Sequence, residues 1–63
     1  MNLLEQQWNG ILETLLAAGV VHEVISCNGC EDIIFEDRGT GEPYIWNYDR
    51  LDGTITLAKF GGY

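Results

Sequence analysis

Basic residues are scarce in this sequence. The 63 residues include three, Arg38, Arg50 and Lys59, against ten Asp and Glu, and the formal net charge at pH 7 is −7. A field of this sign repels nucleic acid and anionic lipid and attracts basic protein surfaces. The shortage of bases therefore argues against direct nucleic-acid binding. Two interpretations remain: the charge only keeps a small protein soluble, or it meets a basic partner.

Long apolar runs are also lacking. No stretch approaches about 18 apolar residues, the length that crosses a bilayer. The N-terminus has no basic, apolar and small-residue leader of the kind that directs secretion. The two cysteines are fewer than a secreted domain of this size usually carries. We therefore expect a cytoplasmic protein with no membrane partner.

The motifs of the common enzyme classes are absent as well. There is no Gly-x-Ser-x-Gly, no P-loop and no Gly-x-Gly-x-x-Gly after a strand. Gly39-x-Gly41 is followed by Glu-Pro instead of a helix, so it builds no phosphate cradle. A chain this short also has trouble enclosing a pocket of about 300–1,000 Å³. We predict that the protein is not an enzyme and uses no cofactor.

What the sequence does contain is a helical period followed by strand periods. Over residues 3–18, apolar side chains share one arc of a helix; they are Leu4, Trp8, Ile11, Leu12, Leu15, Leu16 and Ala18. Asn2 is a good N-cap, and Gly19 suits the left-handed position after the last turn. The pattern predicts a helix over 3–18 with this arc buried.

Four short runs rich in β-branched and aromatic residues follow, and turn signals separate them. They predict strands at about 20–27, 32–37, 44–49 and 54–60. Asn28-Gly29 is the strongest short hairpin signal, and Asp52-Gly53 marks another turn. Strands joined by short turns form a meander. We expect a single α+β domain over 1–63, with one N-terminal helix packed on a four-stranded antiparallel β-meander.

The aromatic residues of the third strand, Tyr44, Trp46 and Tyr48, share one side of that strand. We prefer a three-residue loop at 51–53, which groups them on a face apart from Ile45 and the apolar residues Ile55 and Leu57; a two-residue turn would shift the register by one. One helix covers one face, so we expect the aromatic face to stay open and to bind a second copy or a foreign partner. The alternative is that the sheet curls and the aromatic residues close a small core.

Half of the acids lie on the first hairpin, where residues 20–37 hold five acids and no base: Glu23, Glu31, Asp32, Glu36 and Asp37. Pairing across Asn28-Gly29 groups Glu23, Asp32 and Glu36 on one face with Ile25 and Ile34. The cluster favours a basic protein partner and could imitate nucleic-acid phosphates. The alternatives are a solvated edge that prevents aggregation and a divalent-cation site, although the spacing lacks the calcium-loop pattern.

Cys27-x-x-Cys30 is the one motif with intrinsic chemistry, because a CxxC pair across a turn can supply half of a zinc site. The other half is missing, since the pairing places His22 opposite Phe35, away from the turn. A dimer could join two such pairs. A short-range disulfide and redox catalysis are further alternatives, the latter disfavoured because the neighbouring Glu31 would raise a thiol pKa. We favour reduced cysteines.

Together these patterns favour a small acidic, non-enzymatic binding module. It would inhibit or regulate a larger protein by occupying a basic surface, for example one that binds nucleic acid. The expected contacts are the five hairpin acids with Tyr44, Trp46 and Tyr48. Small acidic α+β viral proteins that block a host machine are similar in size and charge, with no shared motif. The alternative is a zinc-stabilised dimeric domain built on Cys27 and Cys30.

Overall fold

A computed structural model describes residues 2–61. Helix α1 spans Leu3–Ala18, and the strands are β1 Val21–Cys27, β2 Cys30–Glu36, β3 Pro43–Asp49 and β4 Thr54–Lys59. The strands form one antiparallel sheet in the order β1-β2-β3-β4. The predicted helix on a four-stranded meander is therefore confirmed. Met1, Gly62 and Tyr63, which the predicted domain includes, lie outside the described residues.

The ends of α1 are set by its two cap residues. The Asn2 side chain accepts a hydrogen bond from the backbone N–H of Leu4, with a donor–acceptor distance of 2.8 Å. At the other end, Gly19 has a φ of 72° and its N–H bonds to the carbonyl oxygens of Leu15 and Leu16. Glycine adopts this left-handed conformation without a steric penalty. Within residues 2–61, no helix has the length and apolar character to cross a membrane.

The first hairpin follows the expected register near its turn and departs from it further away. Val24 pairs with Ile33, as predicted. A register shift between positions 21 and 23 then places Val21 opposite Phe35 and leaves His22 in a bulge. The predicted pairing of His22 with Phe35 is therefore wrong. A bulge adds one residue to a single strand, and the alternation of residue types does not reveal it.

The loop between β3 and β4 has four residues, Arg50–Gly53, because Asp49 pairs with Thr54. The expected three-residue loop is wrong. The Asp49 carboxylate accepts a hydrogen bond from the Leu51 N–H at 2.9 Å, a contact by which Asp stabilises turns. The change of one residue turns all of β4 over. Leu57 now pairs with Trp46, on the aromatic side of the sheet.

Helix α1 packs on the face that carries the β3 aromatic residues. Its Trp8 is 1% exposed and forms the core with Ile33 and Tyr48, which are 0% and 1% exposed. The Trp8 and Tyr48 ring centroids lie 5.4 Å apart. Partly buried side chains surround this centre: Leu4, Ile11, Leu12, Leu15, Val21, Trp46 and Ile55. The expectation that the aromatic face stays open is therefore wrong, because the helix covers it.

The three aromatic residues expected to anchor a partner have structural contacts instead. Tyr48 belongs to the core, Trp46 packs against it, and Tyr44 stacks on Phe35 with ring centroids 5.8 Å apart. This removes the exposure on which their predicted binding role rested. Leu16, expected in the buried arc, is 54% exposed because it lies at the margin of the helix stripe centred on Trp8.

Candidate functional site

The candidate site is the face of the sheet opposite α1, and no other helix or strand of residues 2–61 covers it. Two rows of side chains cross it. Strand pairing aligns Glu23, Ile34, Ile45 and Ala58 in one row and Ile25, Asp32, Asn47 and Thr56 in the other. Together with Glu36, which follows Ile34 by two residues in β2, these residues are called the open face. The predicted grouping of Glu23, Ile25, Asp32, Ile34 and Glu36 is confirmed.

The open face combines carboxylates with exposed apolar surface. Glu23, Asp32 and Glu36 supply the charge, and Ile25, 39% exposed, is the most accessible of the isoleucines. Side chains in a strand alternate between faces, so residues two apart emerge together. The sheet therefore presents both kinds of group from a hydrogen-bonded backbone instead of a loop.

None of the three basic residues belongs to the open face. Lys59 follows Leu57 by two residues, which places it on the helix side, and its Nζ lies 3.2 Å from a carboxylate oxygen of Glu42. Arg50 lies in the β3–β4 loop and bonds to Glu5 of the helix. Arg38 lies in the loop between β2 and β3. The negative charge of the open face is therefore not neutralised by a Lys or Arg of that face.

Two of the open-face carboxylates have a polar neighbour. The Asn47 side-chain amide donates to a carboxylate oxygen of Asp32 at 2.5 Å. Nε2 of the bulged His22 lies 3.4 Å from a carboxylate oxygen of Glu36, and both side chains are more than half exposed. These contacts restrict the orientation of the carboxylates and leave them accessible. His22, whose predicted pairing was wrong because of the bulge, thus has a carboxylate neighbour.

The other two predicted acids lie elsewhere. The Asp37 carboxylate accepts a hydrogen bond from the Gly39 N–H at 2.8 Å, inside the β2–β3 loop. Glu31 precedes Asp32 in the same strand and therefore projects to the opposite face, under the helix. Its side chain is only 18% exposed. The structure therefore brings Glu23, Asp32 and Glu36 together on the open face and places Glu31 and Asp37 apart from them.

Glu31 is a structural acceptor. Its carboxylate accepts the indole N–H of the core residue Trp8 at 2.6 Å and the Ser26 hydroxyl at 3.2 Å. The Arg50 guanidinium lies 3.5 Å from it, and the same guanidinium bonds to Glu5 at 2.8 Å. The Arg50 Cζ also lies 4.7 Å from the centre of the Tyr48 ring, within cation–π distance. We call Glu5, Trp8, Glu31, Tyr48 and Arg50 the helix clamp.

The helix clamp joins α1 to the sheet, and sequence reasoning missed it. Its most distant members in the sequence, Glu5 and Arg50, are separated by 45 positions. The one available signal was strand alternation, which separates Glu31 from Asp32. Their adjacency in the chain suggested a shared role, and their positions on opposite faces of β2 exclude it.

The charges of the helix clamp shift the ionisation of its members. The hydrogen bond from Arg50 holds the pKa of Glu5 below its ordinary value. Burial, followed by the charge of Glu5, raises the pKa of Tyr48. The hydrogen bond to Glu5 raises the pKa of Arg50. Because the pKa of Glu5 is lower in the folded chain, its contribution to stability is present above the unfolded pKa and is lost as pH falls through the folded value.

We therefore expect Glu5→Gln to reduce the stability lost on acidification. Urea unfolding at neutral pH and at a pH below the ordinary glutamate pKa measures that loss. Glu13→Gln, an exposed substitution on the outer side of the same helix, is the control with the same change in charge. An equal pH dependence in the two variants would contradict the assignment to the Glu5–Arg50 pair.

Cys27 and Cys30 are joined by a disulfide that spans the hairpin turn, so the prediction of reduced cysteines is wrong. The two residues are directly opposite each other in the register. In the part of the chain that the structure describes, no group of three or more His, Cys, Asp or Glu side chains is arranged to hold a metal ion. Zinc binds thiolates, so the zinc alternative concerns the reduced chain.

A groove of about 490 Å³ lies on the helix side, between the C-terminal half of α1 and the sheet. Its lining includes the apolar residues Leu15, Phe35, Tyr44 and Leu57, together with Arg38. The groove is open to solvent along its length, in contrast to the enclosed pockets in which most small ligands bind.

No protein-family model, no curated protein and no solved structure matches this chain. The geometry and charge of the open face are therefore the observations from which a function can be proposed.

Proposed function

We propose that the protein is a non-enzymatic binding module whose open face occupies a basic surface of a larger protein and thereby inhibits or regulates it. One observation carries the proposal: the open face presents Glu23, Asp32 and Glu36 around exposed isoleucine surface, with no Lys or Arg among them.

The two kinds of group on the open face act at different stages of binding. Long-range attraction between the net charge of −7 and a basic surface accelerates encounter. After contact, burial of isoleucine side chains contributes about 25 cal/mol per Å² of apolar surface removed from water. A sheet face is already ordered before binding, so less conformational entropy is lost than with a flexible loop.

The basic surface that we propose is one that binds nucleic acid. Proteins hold phosphates with Arg and Lys, and the same side chains form charge-assisted hydrogen bonds with carboxylates. Glu23, Asp32 and Glu36, held on one sheet, would take the place of phosphates. Regulation then follows from competition, because nucleic acid and this protein cannot occupy one surface together.

The experiment compares two double variants of equal net charge. Glu23→Gln with Glu36→Gln removes two charges from the open face. Glu13→Gln with Asp52→Asn removes two from exposed positions on the helix and in the β3–β4 loop. Both double variants lose two of the negative charges that make up the net charge of −7, so they have the same net charge as each other. The probe is the fraction of a cell lysate that a heparin column retains, which is enriched in proteins with polyanion-binding surfaces.

We expect the wild-type protein to capture proteins from this fraction, with association slowed at least tenfold in the open-face variant, a change within the range of electrostatic steering. The association rate of the control variant should fall by less than half as much as that of the open-face variant. Duplex DNA should release the captured proteins by competing for the same surface. High salt should also release them, because the Debye length shortens from about 8 Å at physiological ionic strength to about 3 Å at 1 M salt. Equal loss in the two variants, or no capture by the wild-type protein, would refute the proposal.

A further inference from the structure

The outer edge of β4 carries backbone groups that the sheet leaves unpaired. The Phe60 N–H bonds to the carbonyl oxygen of Pro43 at 3.0 Å, so position 60 faces β3. Bonding alternates along an antiparallel pair. Positions 56 and 58 therefore also face β3, and the N–H and C=O groups of Ile55, Leu57 and Lys59 point away from the sheet. Within residues 2–61, these groups form no backbone bond to a loop or a neighbouring element.

The two edges of the sheet differ in how well they are protected. β1 carries the bulge at His22 and the acid Glu23, two devices that discourage strand addition. β4 has an unbroken register with β3 from Thr54 to Lys59 and contains no proline. Lys59, its last residue, is its one charged side chain, and Glu42 neutralises it at 3.2 Å. β4 therefore remains available for pairing.

Charge selects the partner of this edge. β1, β2 and β3 each contain at least one acid, and β4 contains none. In a chain with a net charge of −7, two copies meet with the least repulsion along β4. The edge also exposes an apolar side chain: Leu57 is 49% exposed, on the helix side and beside the open groove. An identical edge would cover it.

We propose that two copies of this chain pair antiparallel through β4, with Leu57 opposite Leu57 of the second copy on a two-fold axis. Residues directly opposite in an antiparallel pair share a face, so the axis must relate a position to itself. In this register the outward groups of Leu57 bond to those of its counterpart, and Ile55 bonds to Lys59 of the second copy. Two four-stranded sheets become one of eight strands.

The dimer keeps both open faces free and aligned on one side of the larger sheet, with both helices on the other. Its interface is smaller than the standard of about 800 Å² per partner, because β4 has six residues. We therefore expect a reversible dimer whose population rises with protein concentration. The dimer does not depend on the proposed function, because its interface includes no open-face carboxylate.

Two measurements on the wild-type protein test the inference. Sedimentation from micromolar to millimolar concentration should show a monomer–dimer equilibrium. Amide hydrogen exchange by NMR over the same range should show added protection at positions 55, 57 and 59. Positions 56 and 58, already bonded to β3, should change little. A monomer throughout, or protection gained without this alternation, would overturn the inference.

A pair of variants adds an independent test. Leu57→Lys places two like charges on the two-fold axis and should weaken dimerisation at least tenfold. Leu51→Lys makes the same substitution at an 86% exposed leucine of the β3–β4 loop and should leave dimerisation unchanged. Near-ultraviolet circular dichroism of the tryptophans checks that each variant is folded. If both folded variants dimerise like the wild type, the β4 interface is wrong; if Leu57→Lys does not fold, the wild-type exchange pattern decides.

The dimer and the proposed function fail separately in these experiments. Glu23→Gln with Glu36→Gln should weaken capture of basic proteins and leave sedimentation of the dimer intact. Leu57→Lys should weaken the dimer in sedimentation and leave capture of basic proteins intact. The one exception is any gain in capture that two aligned open faces provide, which this variant would lose.

Discussion

Trp8→Ala should abolish cooperative folding of this protein. Trp8 is 1% exposed and packs on Ile33 and Tyr48, the other two fully buried side chains among residues 2–61. Truncation of a buried tryptophan costs about 3–5 kcal/mol. The core of a domain this small rarely supplies more than about 3–5 kcal/mol. The loss therefore matches the whole stability, and the variant should lack a thermal transition by circular dichroism.

A control on the same helix separates packing from helix propensity. Leu3→Ala changes a 73% exposed leucine and should leave the transition almost unchanged. Leu15→Ala, at a partly buried position beside the core, should fall between these two variants. A cooperative transition in Trp8→Ala near the wild-type temperature would show that the helix is not held to the sheet by this side chain.

Glu31→Ala should destabilise the protein by about 1–3 kcal/mol, the usual cost of leaving a buried hydrogen-bonding group without its partner. The substitution removes the acceptor of the Trp8 indole N–H at 2.6 Å and a carboxylate that faces Arg50. Trp8 is 1% exposed, so its indole N–H loses its acceptor at a largely buried position. Urea denaturation measures the change in the free energy of unfolding.

The neighbouring acid is the matched control. Asp32→Ala removes the same charge one residue away, from the open face, where its contact is the Asn47 side chain. We expect it to cost less than half as much as Glu31→Ala. Glu31→Gln retains an acceptor oxygen, so its cost in stability should lie between those of the two alanine variants. A double-mutant cycle that combines a Glu31 substitution with Trp8→Phe isolates the interaction energy of the Trp8–Glu31 pair. Equal losses for Glu31→Ala and Asp32→Ala would contradict the helix clamp.

The contrast between these two acids also alters how binding experiments must be designed. Neutralising Glu31 together with Asp32 is the natural test when hairpin acids are considered as one cluster. In the structure that pair mixes a structural acceptor with an open-face residue, so a loss of binding would have two causes. Glu23 and Glu36 are the better pair because both are exposed on the candidate site.

Features controlled by neighbouring residues were predictable. The helix over 3–18 has its N-cap and its C-terminal glycine within one residue of its ends, and its apolar period is visible in the same segment. The Asn28-Gly29 turn likewise defines the first hairpin locally, and with it the acidic face of β1 and β2. The meander order follows because each connection is short.

Features controlled by register were not predictable. The bulge at His22 and the four-residue loop at Arg50–Gly53 each change a pairing by one residue. A shift of one residue in strand pairing moves every side chain of the strand to the other face of the sheet. The second shift carried Leu57 to the aromatic side. The prediction of an open aromatic face failed for a separate reason, because α1 covers that face.

The sequence by itself determined the elements, their order, the caps, the net negative charge and the acidic side of the first hairpin. Only the tertiary structure decided which sheet face α1 covers, because both faces carry apolar residues and local pattern does not rank them. Burial of Trp8 against Ile33 and Tyr48 selects the aromatic face. That choice makes Glu31 a structural acceptor and leaves Glu23, Asp32 and Glu36 on the uncovered face, since a strand sends successive side chains in opposite directions.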